Sequence, residues 1–201
     1  LWPGVLEAFR LIGSEQIQGR ASLGGNICNG SPAGDSVPAL IAAGCIALIA
    51  GPNGKREIPI EEFHIGPGKT VLDNGEMLVS LKFPKREINS SDTYLRMTPR
   101  TEMDIAVVGC GVNITFENNV CTAARVSLGA VAPTPLLIKE ASKLMVGSDL
   151  NSEILDKVSK ICMDLCDPID DKRGTIDYRT KVAGVLFKRA TLTTIDRIKG
   201  N

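Results

Sequence analysis

The chain has 201 residues, 23 Lys and Arg against 23 Asp and Glu, a formal net charge of zero and 43% hydrophobic residues. That length supports one or two packed domains, and the composition is that of a globular protein rather than a disordered one. Balanced charge without a dense Lys/Arg stripe argues against nucleic acid or an anionic membrane as the main partner, because phosphate binding needs a cationic surface. The longest apolar run, residues 37–50, is broken by Pro38 and Gly44 and falls short of the ~20 residues of a membrane span.

The first residues, Leu1-Trp2-Pro3-Gly4, lack the cationic start of a signal peptide and carry no initiator Met, which suits a start inside a longer protein. Residues 5–12 read as a short helix. Asp35-Ser36 reads as an N-cap for the apolar turns of residues 37–43. Residues 45–50 and 55–59 flank Gly51-Pro52-Asn53-Gly54, turn chemistry suited to a hairpin tip. Residues 77–83 form a further strand, and the polar stretch 85–92 lacks a hydrophobic period and suits a linker.

The second half has its own pattern. Residues 93–97, 105–116 and 120–131 read as antiparallel strands, the last two joined across Glu117-Asn118-Asn119. Three helices follow at residues 137–145, 152–166 and 175–199; the middle one keeps Ile154, Val158, Ile161 and Leu165 on one face. Strands followed by helices, without strict alternation, predict an α+β fold and not a doubly wound nucleotide fold. The division falls near residue 88, giving domains 1–88 and 89–201.

Few residues suggest bond-making chemistry. Six cysteines (28, 45, 110, 121, 162 and 166) contain no C-x-x-C pair, so no zinc ribbon or iron–sulfur ligand run is present, and reduced thiols in a cytoplasmic protein are expected. The single histidine, His64, reads as a surface or capping residue, and Glu61-Glu62 and Asp170-Asp171 read as solvated helix starts. Gly66-Pro67-Gly68-Lys69-Thr70 mimics the end of a P-loop, but Phe63 stands where that motif needs its first glycine. The most informative stretch is Arg20-Ala21-Ser22-Leu23-Gly24-Gly25-Asn26-Ile27-Cys28-Asn29, continuing through Pro32 to Asp35. Adjacent glycines between Ser and Asn permit positive φ and a close backbone approach to a pyrophosphate; a tight turn before a capped helix is the competing reading.

That stretch resembles the R-x-A-T-I-G-G-N-I-x-x-x-S-P-x-x-D signature of the FAD-binding medium subunit of molybdenum hydroxylases, the family of xanthine dehydrogenase and aerobic carbon monoxide dehydrogenase. Four further motifs follow in the family's order. Gly66 to Thr70 with Gly75-Glu76-Met77-Leu78 resembles G-P-G-K-T with G-E-L-L, and Arg100 to Ala106 resembles R-x-x-x-D-I-A. Leu128 to Pro135 resembles L-G-x-V-A-P-T-P, and Asp171-Lys172-Arg173-Gly174 with Tyr178-Arg179 resembles D-x-R-G-S-x-x-Y-R.

The resemblance implies the second subdomain of a PCMH-type, vanillyl-alcohol-oxidase-like FAD-binding domain. A CO-dehydrogenase-flavoprotein C-terminal domain, a three-stranded antiparallel sheet with three helices, would follow it. It implies that Ser22, Leu23, Gly24, Gly25 and Asn26 line the FAD pyrophosphate, with Asn29 and Asp35 extending the site. Leu78 would offer apolar and main-chain contact, and Ile12 would stand where relatives pack a ring on FAD. Arg96 replaces the usual Lys, and Arg100 would lie near the flavin ring. Relatives carry a further α/β subdomain ahead of the matched part, so the FAD site in these 201 residues is expected to be incomplete and FAD binding by them weak.

The implied function is electron transfer from [2Fe–2S] clusters through FAD to NAD+, a quinone or oxygen. Molybdopterin would be held by a large partner subunit and the clusters by a small one. A flavin-free docking module of such a complex and a standalone flavin oxidase of the vanillyl-alcohol-oxidase type are the alternatives.

Overall fold

The computed structural model describes residues 2–100 and 103–200. Helix α1 (Pro3–Arg10) starts with proline at its first position and has no side-chain cap from Trp2. A residue distant in sequence supplies one: Asp92 Oδ2 accepts from Val5 N at 3.1 Å. Short helices α2 (Glu15–Gln18) and α3 (Leu23–Cys28) lead to α4 (Ser36–Ala43), which is buried along its whole length and ends at Gly44 in the left-handed region, φ 71°.

The expected hairpin is present as β1 (Ile46–Gly51) and β2 (Gly54–Pro59), with β5 (Met77–Lys82) pairing antiparallel on the other side of β1. Ala47 and Ile49 face inward by the strand period of two. A 3-10 turn at Ile60–Glu62 leads into a small hairpin of β3 (His64–Gly66) and β4 (Lys69–Thr70), with Gly68 at φ 69° in its turn. The P-loop mimic is therefore a β-turn.

The second sheet runs β6 (Ser90–Met97), β7 (Val108–Glu117), β8 (Val120–Gly129) and β9 (Leu136–Leu137), all antiparallel. The expected three strands are present, and the two-residue β9 adds a fourth at the edge. Asn118 and Asn119 both take positive φ in the β7–β8 turn, 50° and 63°. Helices α5 (Lys139–Met145), α6 (Ser152–Asp164) and α7 (Ile176–Lys199) cover one face. Cys110, Val112 and Ile114 point into that helical core. The alternate positions face α4, where Gly111 lets the backbone of Pro38 approach.

Residues 85–92 are not wholly a linker, because β6 begins at Ser90 and Ser90, Ser91 and Asp92 are buried. Their polarity hides this: Asp92 Oδ2 takes Val5 N and its carbonyl takes Arg197 Nη1 at 2.7 Å, while its Oδ1 is buried without a partner among the described residues. Glu61 and Asp171 are not freely solvated either. Glu61 pairs with Arg125 at 2.9 Å, and Asp171 pairs with Arg179 at 2.8 Å. The two cores are distinct, yet Tyr94 of the second sheet belongs to the first core. Among the described residues no helix is long and apolar enough to cross a membrane.

Candidate cofactor site

The Gly-Gly stretch is a helical turn and not a positive-φ loop. Ser22 is extended, φ −121°, and its Oγ accepts from Gly25 N at 3.0 Å, so it caps α3. Ser22 O takes the Asn26 N–H at 3.0 Å. The first-turn amides of Leu23 and Gly24 have no acceptor among the described residues, as expected for a helix start. A Cβ built on Gly24 meets nothing within 4 Å, so the backbone there faces open space. Two free amides beside an uncovered glycine backbone fit an anionic group such as a pyrophosphate.

Two open grooves flank this turn. One, about 300 Å³, is lined by Phe9, Ile12, Gln18, Ser22 and Leu23; the other, about 330 Å³, is lined by Leu23, Gly24, Leu78, Leu81 and Phe83. Ser22, Leu23, Gly24, Ile12 and Leu78 are thus brought together. Asn26 faces inward instead, its Oδ1 accepting from Ser36 Oγ at 2.6 Å, and exposed Asn29 stands at the end of α3.

His64 supports the turn from below. It is 7% exposed, not a surface residue, and its Nε2 lies 2.7 Å from Ile27 O, the geometry of an N–H donor to that carbonyl. Burial pulls its pKa below 6.5, against the bond to Ile27. Gly68 N donates to Gly30 O at 2.9 Å, so the β3–β4 hairpin holds the end of α3 at two points.

Asp35 occupies the N-cap position of α4, but its carboxylate does not cap the helix. It accepts from Tyr94 Oη at 2.9 Å and from Arg96 Nη1 at 2.7 Å. The Asp35 and Arg96 side chains are only 10% and 7% exposed. Burial raises the Asp35 carboxyl, opposed by Arg96 and Tyr94. Arg96 Nη1 also donates to Leu11 O at 3.0 Å, beside Ile12. Arg100 stands apart: its side chain is 70% exposed and paired with Asp104 at 3.5 Å. Asp104 is also bound by Arg173 Nε at 3.4 Å, which fastens it to the segment ahead of α7.

A further cavity of about 330 Å³ lies between the halves, lined by apolar residues including Ala33, Pro67, Ile105, Ala132 and Ile169, with Arg173 and Arg179 among them. Neither this cavity nor Tyr94 was legible as part of a site. The available signals were that Tyr94 and Arg96 share a face of one strand, and that the cavity draws on all five motifs.

No residue here is poised as nucleophile or metal ligand. Burial pushes Cys45 and Cys162 up to about 12 and Cys121 and Cys166 to about 11, so these remain thiols. Among the described residues, no group of three or more His, Cys, Asp or Glu could hold a metal ion.

Comparison with known proteins agrees with this arrangement. Residues 2–86 match the FAD binding domain in molybdopterin dehydrogenase, and residues 93–194 match the CO dehydrogenase flavoprotein C-terminal domain. The chain is 33% identical over 189 residues to the carbon monoxide dehydrogenase medium chain of Afipia carboxidovorans, covering 94% of this chain and 65% of that one. It is 30% identical over 190 residues to the xanthine dehydrogenase FAD-binding subunit of Escherichia coli O157:H7, covering 93% and 64%. Reconstituted CO dehydrogenase from Oligotropha carboxidovorans has a chain of the same fold, with TM-score 0.93, 31% identity and coverage of 97% and 68%. The two halves therefore match two flavoprotein domain families in tandem. The chain belongs to the family of FAD-binding medium subunits of molybdenum hydroxylases, and it spans slightly less than two thirds of the length of these curated relatives.

Proposed function

We propose that this chain is the greater part of a cytoplasmic FAD-binding electron-transfer subunit that works between a small [2Fe–2S] subunit, a large molybdopterin subunit and an external acceptor. FAD, when bound, supplies the redox chemistry that links one-electron donors to a one- or two-electron acceptor. The residues of this chain bind and orient; none is asked to act as acid, base or nucleophile.

The observation that carries the reading is the capped α3 turn, with the amides of Leu23 and Gly24 unspent beside two open grooves. Ser22 and Gly25 shape that turn, and Asn26 braces it through Ser36. Asn29 and Asp35 extend the site, Leu78 and Ile12 give apolar walls, and Arg96 supplies a cation at the seam. Arg100 lies on the loop that we assign to the flavin edge. The apolar cavity beside Ile105, with Arg173 in its lining, suits a planar ring such as a quinone or the nicotinamide of NAD+. The domain division at residue 88 remains part of this proposal.

The test is the full-length subunit purified from its native source. One FAD per subunit, with molybdenum and iron copurifying, is expected. A full-length subunit free of flavin would overturn the electron-transfer reading in favour of a docking module, and flavin without molybdenum or iron would favour a standalone oxidase.

A further inference from the structure

Arg96 has five N–H donors, and the structure accounts for those on Nη1 only: one to Asp35 Oδ2 at 2.7 Å and one to Leu11 O at 3.0 Å. Its Nε and Nη2 have no partner among the described residues, yet they are not among the fully buried polar atoms left without one, so that edge is not wholly sealed although the side chain is only 7% exposed. What fixes the edge is Asp35, and Asp35 is held in turn by Tyr94. The Tyr94 ring is buried in the first core although its strand belongs to the second sheet, and its Oη donates to Asp35 Oδ1 at 2.9 Å. A Cβ at Gly109 would stand 2.6 Å from Tyr94 Oη, so the neighbouring strand leaves room for this hydroxyl by lacking a side chain.

We propose that Tyr94 is a positioning residue of the cofactor site: its hydroxyl locks the Asp35 carboxylate, which holds Arg96 by Nη1 and turns the Nε–Nη2 edge toward the cofactor's phosphate or flavin carbonyl. The proposal rests on the reading of Arg96 as a cofactor contact. With one carboxylate oxygen committed to Tyr94, Asp35 offers Arg96 a single oxygen rather than a bidentate grip, and the guanidinium keeps the three N–H donors of Nε and Nη2 for a ligand. Lysine at this position would place its three donors on a single nitrogen, without a planar two-nitrogen edge to present.

The test is a double-mutant cycle in the full-length subunit within its complex, stripped of flavin and titrated with FAD. Tyr94→Phe keeps the ring and removes the hydroxyl; it is expected to weaken FAD about tenfold, the scale of a hydrogen bond to a charged group, without lowering the thermal midpoint of the FAD-free complex to match. Gly109→Ala, which crowds the same oxygen, should have the same effect. In an Arg96→Met background the further change Tyr94→Phe should leave FAD affinity where it is, because Tyr94 acts through Arg96. Arg96→Lys serves as the second background should Arg96→Met fail to assemble. Native affinity in Tyr94→Phe, or the same loss in both backgrounds, overturns the proposal. Native affinity in Arg96→Met overturns it by removing the contact beneath it, leaving the family reading intact, whereas a native complex without FAD overturns that reading itself.

Discussion

Arg179 on α7 holds Asp171, eight residues earlier, by Nη2 to Oδ1 at 2.8 Å, and reaches Val107 O at 2.6 Å and Ala130 O at 3.2 Å with Nη1. Asp171 Oδ1 also takes the amides of Arg173 and Gly174, so one carboxylate folds its own loop and receives the arginine. Arg179 is 4% exposed, and its fork joins α7, the start of β7 and the end of β8 beside the apolar cavity. The D-x-R-G…Y-R motif is thus a fastening between a loop, a helix and the sheet.

Replacing Arg179 by Met leaves two carbonyls without their donor and Asp171 with only the Arg173 and Gly174 amides as hydrogen-bond donors. The expected loss is about 2–4 kcal/mol in urea unfolding, the scale for orphaned buried polar groups. Arg179→Lys should recover only part of it, because a single ammonium cannot reproduce the planar fork. A loss below about 0.5 kcal/mol for the Met variant would show that the fastening is dispensable.

Asp92 gives a pH-dependent contribution of definite sign. Burial raises its carboxyl from 3.8 to about 6, with Glu7 adding to the rise and the Val5 and Gly4 amides and Arg86 opposing it. A raised folded pKa favours the protonated form, so this group's contribution is full below pH 3.8 and is lost as pH rises through about 6. Asp92→Asn keeps an acceptor for Val5 N and abolishes the titration. Relative to the parent it should gain stability between pH 4 and pH 7, by at most about 3 kcal/mol. A constant difference across that range would contradict the assignment.

His64 acts in the opposite sense. Its pKa is depressed below 6.5 by burial, so its contribution is present above 6.5 and declines as pH falls through the lower folded value. His64→Gln retains an N–H donor for Ile27 O and should flatten this part of the pH profile. His64→Leu removes that bond but leaves Ile27 O with the Gly30 amide at 3.1 Å, and should cost about 0.5–1.5 kcal/mol, the net worth of one hydrogen bond. Hydrogen exchange at Gly68, whose amide bonds Gly30 O, should rise in the Leu variant before global unfolding.

Gly111 sits where α4 crosses β7. A Cβ there would stand 2.6 Å from Pro38 O and 2.9 Å from Ser127 Oγ, and Ser127 Oγ itself donates to Pro38 O. Gly111→Ala must push helix from sheet or break that bond, and a loss of more than about 2 kcal/mol is expected in thermal or urea unfolding. Parental stability in this variant would mean that the two halves can slide apart at no cost.

Much of the fold is written in local pattern. The Gly51-Pro52-Asn53-Gly54 and Asn118-Asn119 turns each depend on residues close in sequence and stand where the pattern placed them, whereas the face that α6 buries is Leu155, Val158, Ser159 and Cys162, with Leu165 43% exposed beyond its end. The motif order likewise marked the family, since spacing along the chain survives without knowledge of contacts. Local pattern could not give the polar residues their partners. Ser90 to Asp92 look like a linker until Val5 and Arg197 meet Asp92, and His64 looks like a surface histidine until Ile27 lies above it.

The same limit applies to the site. The sequence by itself determined, through the order of its motifs, which family the chain belongs to, and that a chain with 23 charges of each sign need not meet a polyanion. Only the tertiary structure decided that the two glycines lie in a capped helical turn, that Asp35 serves Arg96 and Tyr94 rather than its own helix, and that an apolar cavity opens beside Ile105 and Ala106. The physical reason is that backbone propensity is a property of neighbours in sequence. Which buried carboxylate meets which donor depends on contacts 59 or more residues apart, as for Tyr94 with Asp35, and these exist only once both cores have closed.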